Sequence, residues 1–286
     1  MLTPQNIDTV VRAALTEDAP WGDLTSQLLL PAEAEATASL VARQPGVFSG
    51  GEVFRAAMTV TDPAIATTLA VADGESFDAG AVLARVHGPA RGVLQAERVA
   101  LNFVQRMSGI ATLTAQYVAL TVGTGARIVD TRKTTPGLRA FERHAVRSGG
   151  GHNHRFSLSD TVMVKDNHLA VIAAHGGLTV TEALLALRAQ LSHTTHVEVE
   201  VDSIGQIEAV LAAGVETIML DNFSVDELRQ GVAVIAGRAI VEASGNVTLE
   251  TVRDIAQTGV DVISVGALTH SIRSLDLGLD IELSLR

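Results

Sequence analysis

The chain has 286 residues, 47% of them hydrophobic, with a formal net charge of -11 and a pI near 5.2. That length and apolar content support a sizeable buried core in one large or two modest domains, and the acidic balance argues against nucleic acid as the main partner. Cysteine is absent, which excludes disulfides, thiolate nucleophiles and Cys-ligated metal sites.

No run approaches the roughly 18 to 20 uninterrupted apolar residues that cross a bilayer, and the N-terminal stretch lacks a basic region followed by an apolar one. No membrane partner is expected, and the cytoplasm is the expected location. Residues 6–17 place Ile7, Val10, Val11, Ala14 and Leu15 on one stripe at helical spacing, with Asn6 as the expected N-cap. From about 34 to 90 the segments are short and β-prone, punctuated by Pro45-Gly46, Gly50-Gly51, Asp73-Gly74 and Gly88-Pro89. This predicts a sheet-containing N-terminal domain with a helix near 51–60. Two helices are expected next, at 91–107 and 108–123, separated at Ser108-Gly109. Leu94, Val99, Leu101 and Val104 read as packing positions, while Arg98 and Arg106 on the same helix read most simply as a solvated face.

After Gly125 the rhythm changes to repeated βα units. Strands are predicted at 127–130, 161–165, 197–201, 217–221, 239–243 and 262–265, separated by helical patterns such as 181–191, 203–213 and 224–236. Such repeats build a parallel sheet, closed as a barrel or open. Six strands do not by themselves complete an eight-stranded barrel.

Residues 127–168 stand apart. They hold six arginines, two lysines and four histidines against Asp130, Glu142, Asp160 and Asp166, and the chain's only two lysines are Lys133 and Lys165. A chain that otherwise uses arginine for positive charge has compact ammonium groups at these two places alone, and an anionic ligand is expected here. Polar residues also gather at the C-terminal ends of the strands, where α/β enzymes place their sites. Asp130-Thr131-Arg132-Lys133 ends the first strand, Lys165-Asp166-Asn167-His168 the second, Glu200 and Asp202 the third, and Asp221-Asn222 the fourth. Glu242-Ala243-Ser244-Gly245-Asn246 leads into a helix expected near Thr248, and Ser264-Val265-Gly266-Ala267 into another helical turn. Ser244 to Asn246 with Gly266 and Ala267 reads as a phosphate cup. Each piece has a plainer reading, since a lone strand-end acid often caps a helix and a lone Ser-Gly is usually a turn. The ordered set of six is what points to a phosphorylated sugar held beside a second anion.

The runs LQAERVALNFVQRMSGIAT, DTRKTTPGLRAFERHAVRSGGGHNHR, VKDNH, VEVEVDS, LDN, EASGN and ISVGALTHS, in this order, resemble the quinolinate phosphoribosyltransferases, also called nicotinate-nucleotide pyrophosphorylases (carboxylating). The resemblance covers nearly the whole chain. It implies a type II phosphoribosyltransferase, with an N-terminal α/β sandwich domain (1–108 plus about 272–286) and an incomplete parallel α/β barrel (109–271). It also implies a homodimer or higher assembly with shared sites. The acidic phosphoribosyl-pyrophosphate motif of type I enzymes is not found. The implied reaction joins quinolinate to phosphoribosyl pyrophosphate, needs Mg2+, and yields nicotinate mononucleotide, pyrophosphate and carbon dioxide for NAD synthesis.

Carried over by motif, Arg132, Lys133, His154, Arg155 and Lys165 would grip the quinolinate carboxylates, with Thr131 beside them and Arg98 reaching in across the dimer. Glu200 and Asp221 would hold the ribose hydroxyls and magnesium, with Asp166 a weaker metal candidate. Ser244, Gly245, Asn246, Val265, Gly266 and Ala267 would take the 5′-phosphate, with His270 nearby. Lys133, Lys165, Glu200 and Asp221 would do the chemistry. His144 stands where the family commonly has Tyr, and Ser157 where it commonly has Gly. The alternatives are a same-fold phosphoribosyltransferase acting on another base, a Schiff-base lyase using Lys165 or Lys133, and a non-catalytic binder of phosphorylated metabolites.

Overall fold

The structure is a computed structural model that describes residues 2–175 and 177–283. The chain clusters into two compact units, Met1–Ala115 with Thr134–Gly150 and Leu268–Arg286, and Gln116–Lys133 with Gly151–Ala267. Among the described residues no helix is long and apolar enough to cross a membrane.

The first unit opens with α1 (Pro4–Asp18), which starts two residues before the expected Asn6. Thr3 is the N-cap: its hydroxyl accepts the Asn6 N–H at 3.2 Å, and Pro4 occupies the first turn, where no amide donor is needed. Ile7, Val11 and Leu15 form its buried stripe. A short α2 (Leu24–Leu29) is capped by Asp23 and precedes β1 (Glu35–Ala42). Then come β2 (Gly46–Val47), α3 (Gly51–Thr61), β3 (Ala66–Leu69), β4 (Ser76–Phe77) and β5 (Val82–Pro89). A last strand, β12 (Leu277–Leu283), completes an antiparallel sheet in the order β12-β1-β5-β3, while β2 pairs with β4. Burial alternates along β1, with Ala36, Ala38, Leu40 and Ala42 turned inward. This is the half-covered sheet expected of an α/β sandwich.

The predicted helix pair is one helix, α4 (Ala90–Thr121), 32 residues long. Ser108 and Gly109 do not interrupt it because they serve tertiary contacts instead. The buried Ser108 hydroxyl accepts the Ser49 N–H at 3.1 Å, and a Cβ at Gly109 would collide with the Arg273 carbonyl oxygen. Arg106 is likewise not on a solvated face. Its guanidinium binds Glu142 Oε1 at 2.6 Å, and Glu142, on α5 (Arg139–Ser148), is only 1% exposed.

In the second unit six parallel strands follow the predicted positions closely: β6 (Arg127–Val129), β7 (Val162–Val164), β8 (Val197–Val201), β9 (Thr217–Asp221), β10 (Ile240–Ser244) and β11 (Val262–Ser264). Their order, β6-β11-β10-β9-β8-β7, leaves β6 and β7 as the two edges of an incomplete barrel. The intervening helices are α6 (Asp166–His175), α7 (Val180–Arg188), α8 (Ile207–Leu211), α9 (Val225–Ile235), α10 (Val252–Ala256) and α11 (Ala267–His270). Helix α10 begins later than the expected Thr248, because Thr248 to Thr251 close a hydrogen-bonded turn first. One further piece of sheet had no counterpart among the predicted strands. His152 bridges Val129 in parallel, so the polar run after Gly151 extends the barrel beyond β6.

Candidate active site

Strand alternation decides which side chains meet. In β8, Val197, Val199 and Val201 face one way and Glu198 and Glu200 the other. Met219 and Asp221 on β9, Glu242 and Ser244 on β10, and Ser264 at the end of β11 occupy the matching face. With Met163 and Lys165 at β7, they line a cavity of about 380 Å³, and Thr131, Arg132, Lys133, His154 and Arg155 complete its wall.

The cavity therefore gathers Thr131, Arg132, Lys133, His154, Arg155, Lys165, Glu200, Asp221 and Ser244 from the predicted set. Gly245 and Asn246 turn directly after Ser244. Gly245 has φ +97°, and a Cβ there would strike the Asn222 side-chain oxygen. Asn222 and Asn246 have positive φ values of 58° and 49°, and Asn246 Nδ2 donates to Asn222 Oδ1 at 3.3 Å. The result is a tight left-handed cup at adjoining strand ends. Val265, Gly266 and Ala267 follow Ser264 on the neighbouring strand.

Three predicted residues lie elsewhere. Asp166 is exposed and lines an adjacent 440 Å³ depression with Asp202 and Asn167. Arg98, exposed on α4, and His270, also exposed and 2.6 Å from the Ser271 hydroxyl, both belong to the first unit.

The cations are held in defined ways. Lys165 Nζ donates to Glu200 Oε2 at 2.7 Å. Arg155 donates to the Thr161 carbonyl at 3.2 Å, and burial together with the neighbouring Arg132 charge pushes its pKa down. Two guanidinium groups close enough to repel one another make a site that an anion relieves.

Beneath them lies a feature that the strand-end reading missed. His154 Nε2 is 3.1 Å from Glu198 Oε2 and 3.5 Å from Glu242 Oε1, and both glutamates are 3% exposed. Burial alone would lower the His154 pKa; the two carboxylates more than reverse this. Burial, with the Glu198 charge adding to it, pushes the Glu242 carboxyl up. The Arg155 backbone nitrogen lies 2.7 Å from His154 Nδ1, which leaves Nε2 turned toward the two glutamates. The three side chains have metal-ligand spacing, and they form a charged floor beneath the cations in which His154 Nε2 faces Glu198 Oε2 at 3.1 Å. The signal was present in VEVEV: two glutamates on the inward face of a buried strand are costly unless partnered.

Of the two departures from the family pattern, His144 Nε2 pairs with Asp73 Oδ2 at 2.6 Å in the first unit. Ser157 accepts the Ser159 N–H at 3.2 Å and is not one of the positive-φ non-glycine residues, which among those described are Asn222, Ala236 and Asn246. Serine therefore fits its backbone without strain.

Parallel strands that deliver cations, carboxylates and a glycine turn to one strand-end cavity define an α/β-barrel enzyme site. Residues 23–108 match the N-terminal domain, and residues 110–280 the C-terminal domain, of quinolinate phosphoribosyl transferase. The chain belongs to the quinolinate phosphoribosyltransferase family. It is 45% identical to the nicotinate-nucleotide pyrophosphorylase [carboxylating] of Mycobacterium leprae (strain TN), covering 95% of each chain. It is 41% identical to the probable nicotinate-nucleotide pyrophosphorylase [carboxylating] of Bacillus subtilis (strain 168), covering 94% of this chain and 91% of that one. The crystal structure of NadC from Streptococcus pyogenes superposes with a TM-score of 0.94 at 40% identity, over 99% of both chains.

Proposed function

We infer that the protein transfers the phosphoribosyl group of phosphoribosyl pyrophosphate to quinolinate with loss of carbon dioxide, giving nicotinate mononucleotide and pyrophosphate in NAD biosynthesis. The observation that carries this reading is the convergence of Arg132, Arg155 and Lys165 with Glu200 and Asp221 on one cavity. A diacid presents two carboxylates to this cluster of cations, whereas a mono-acid base would present one. The salt bridge to Glu200 gives Lys165 an electrostatic task and leaves the Schiff-base lyase without an observation in its favour.

Arg132, Arg155 and Lys165 hold the two carboxylates, with Lys133 and Thr131 at the rim and His154 as the floor. Ser244, Gly245 and Asn246, with Val265, Gly266 and Ala267 just after the adjoining strand, receive the 5′-phosphate. Glu200 and Asp221, at adjacent strand ends, offer the hard oxygen donors suited to magnesium and to the ribose hydroxyls; Asp166 faces a different depression and is the weaker ligand. Held by these carboxylates, magnesium would supply positive charge against the leaving group.

The ring nitrogen forms a bond to the ribose C1 carbon as the C1–O bond to pyrophosphate breaks, and the electron pair of that bond leaves with the pyrophosphate. The ribose carries oxocarbenium character at that moment, which Glu200 and Asp221 stabilise, while Lys133 and Lys165 balance the departing charge. The ring nitrogen is then cationic, so loss of the adjacent carboxylate leaves a stabilised ylide that takes up one proton. Most of the acceleration comes from holding the two reactants in line. Arg98 of a partner subunit in a homodimer, and His270, rest on the resemblance alone.

Incubating the protein with quinolinate, phosphoribosyl pyrophosphate and Mg2+ should release one carbon dioxide per nicotinate mononucleotide. Turnover of nicotinate in place of quinolinate, without carbon dioxide, would point to the other-base reading.

A further inference from the structure

Arg132 and Arg155 come from separate places in the chain, and one buried side chain joins them. Asp130 is 0% exposed. Its Oδ2 accepts from Asn153 Nδ2 at 2.6 Å and its Oδ1 from the His154 N–H at 2.7 Å. The backbone continues the tie: His152 N–H donates to the Ile128 carbonyl at 2.8 Å, and Asp130 N–H to the His152 carbonyl at 3.2 Å. Arg132 lies two residues after Asp130, beyond the end of β6, and Arg155 follows His154 directly.

We propose that Asp130 is the positioning residue that sets the separation of Arg132 and Arg155, and through it the fit of the diacid; the proposal rests on the function inferred above. The run 151–155 has no apolar alternation to pin it as a strand, and its bridge to β6 is a single residue pair. Short charge-assisted bonds from a fully buried carboxylate supply the register that packing does not. Both of these groups are N–H donors. An asparagine at 130 would offer one acceptor and one donor, and so leave Asn153 or His154 facing N–H against N–H.

The test compares Asp130→Asn, Asn153→Asp and the double variant, with steady-state kinetics for each substrate separately. Asp130→Asn should lower kcat/KM for quinolinate by about a hundredfold, the scale of a displacement near 1 Å, and leave KM for phosphoribosyl pyrophosphate within about twofold. The double variant restores a donor facing an acceptor between 130 and 153 and should recover most of the loss. Equal changes in both KM values, or a double variant no better than Asp130→Asn, would overturn the proposal. Should Asp130→Asn fail to fold, Asn153→Ala removes one tether only and must still raise KM for quinolinate selectively; an unchanged value refutes the positioning role. A crystal structure of Asp130→Asn reads the same point without turnover: residues 152–155 should move away from β6, and an unmoved run refutes it. Failure of the wild type to use quinolinate would instead overturn the inferred function, with the crystallographic result still deciding the role of Asp130.

Discussion

Lys165 Nζ and Glu200 Oε2 are 2.7 Å apart, joining an ammonium assigned to one substrate with a carboxylate assigned to the other. Their side chains are 44% and 11% exposed, so the pair is solvated on the lysine side and adds little to stability. Lys165→Ala should therefore melt within a few degrees of wild type, yet lose about 10²- to 10³-fold in kcat/KM for quinolinate, the usual cost of removing one preorganised charge. Steady-state rates and a thermal melt read both; a variant near wild-type activity would remove Lys165 from the chemistry.

The cup after β10 makes a separate prediction. Gly245 needs φ +97° and space that Asn222 occupies, so Gly245→Ala suffers both backbone strain and collision. KM for phosphoribosyl pyrophosphate should rise by on the order of tenfold or more, since strain of about 1–3 kcal/mol falls on the turn, with KM for quinolinate nearly unchanged. A change confined to quinolinate would place the phosphate elsewhere.

Arg106 and Glu142 predict a loss of stability with no ligand involved. Arg106→Ala strands a carboxylate that is 1% exposed. Breaking a buried pair costs about 3–5 kcal/mol, and the partial exposure of Arg106, 31%, reduces this to about 2–3 kcal/mol. Differential scanning calorimetry should show a melting temperature lower by on the order of 5–10 °C, whereas a solvated helix-face arginine would leave it unmoved.

Asp73 supplies the pH dependence. Burial would raise its carboxyl, but the His144 hydrogen bond and the N–H groups of Gly51 and Gly50 outweigh that and hold its pKa below the ordinary 3.8. A depressed folded-state pKa stabilises above the unfolded value, and the contribution is lost as pH falls below about 3.8 through the folded value. Asp73→Asn should melt lower at neutral pH by a few degrees, on the order of 1–2 kcal/mol, and show a shallower fall below that pH. An identical acid profile in wild type and variant would contradict the assignment.

Much of this architecture was legible because strand alternation is a strong signal. VEVEV and TIMLD fixed both the strands and the faces carrying Glu200 and Asp221. What escaped had no periodic signature. The bridge at His152 is made by a polar run whose register comes from Asp130, a tertiary partner. Ser108-Gly109 reads locally as a break, but the missing Cβ admits the Arg273 carbonyl and the helix continues. Glu198 has no strand-end signature, and Glu242 opens the strand-end run before Ser244; both carboxylates sit one inward position deeper, around His154.

The most direct test is a crystal soaked with quinolinate and phosphoribosyl pyrophosphate. The account predicts the pyridine diacid with its carboxylates on Arg132 and Arg155 and the ribose phosphate at Ser244 to Asn246; a diacid bound away from that guanidinium pair would contradict it.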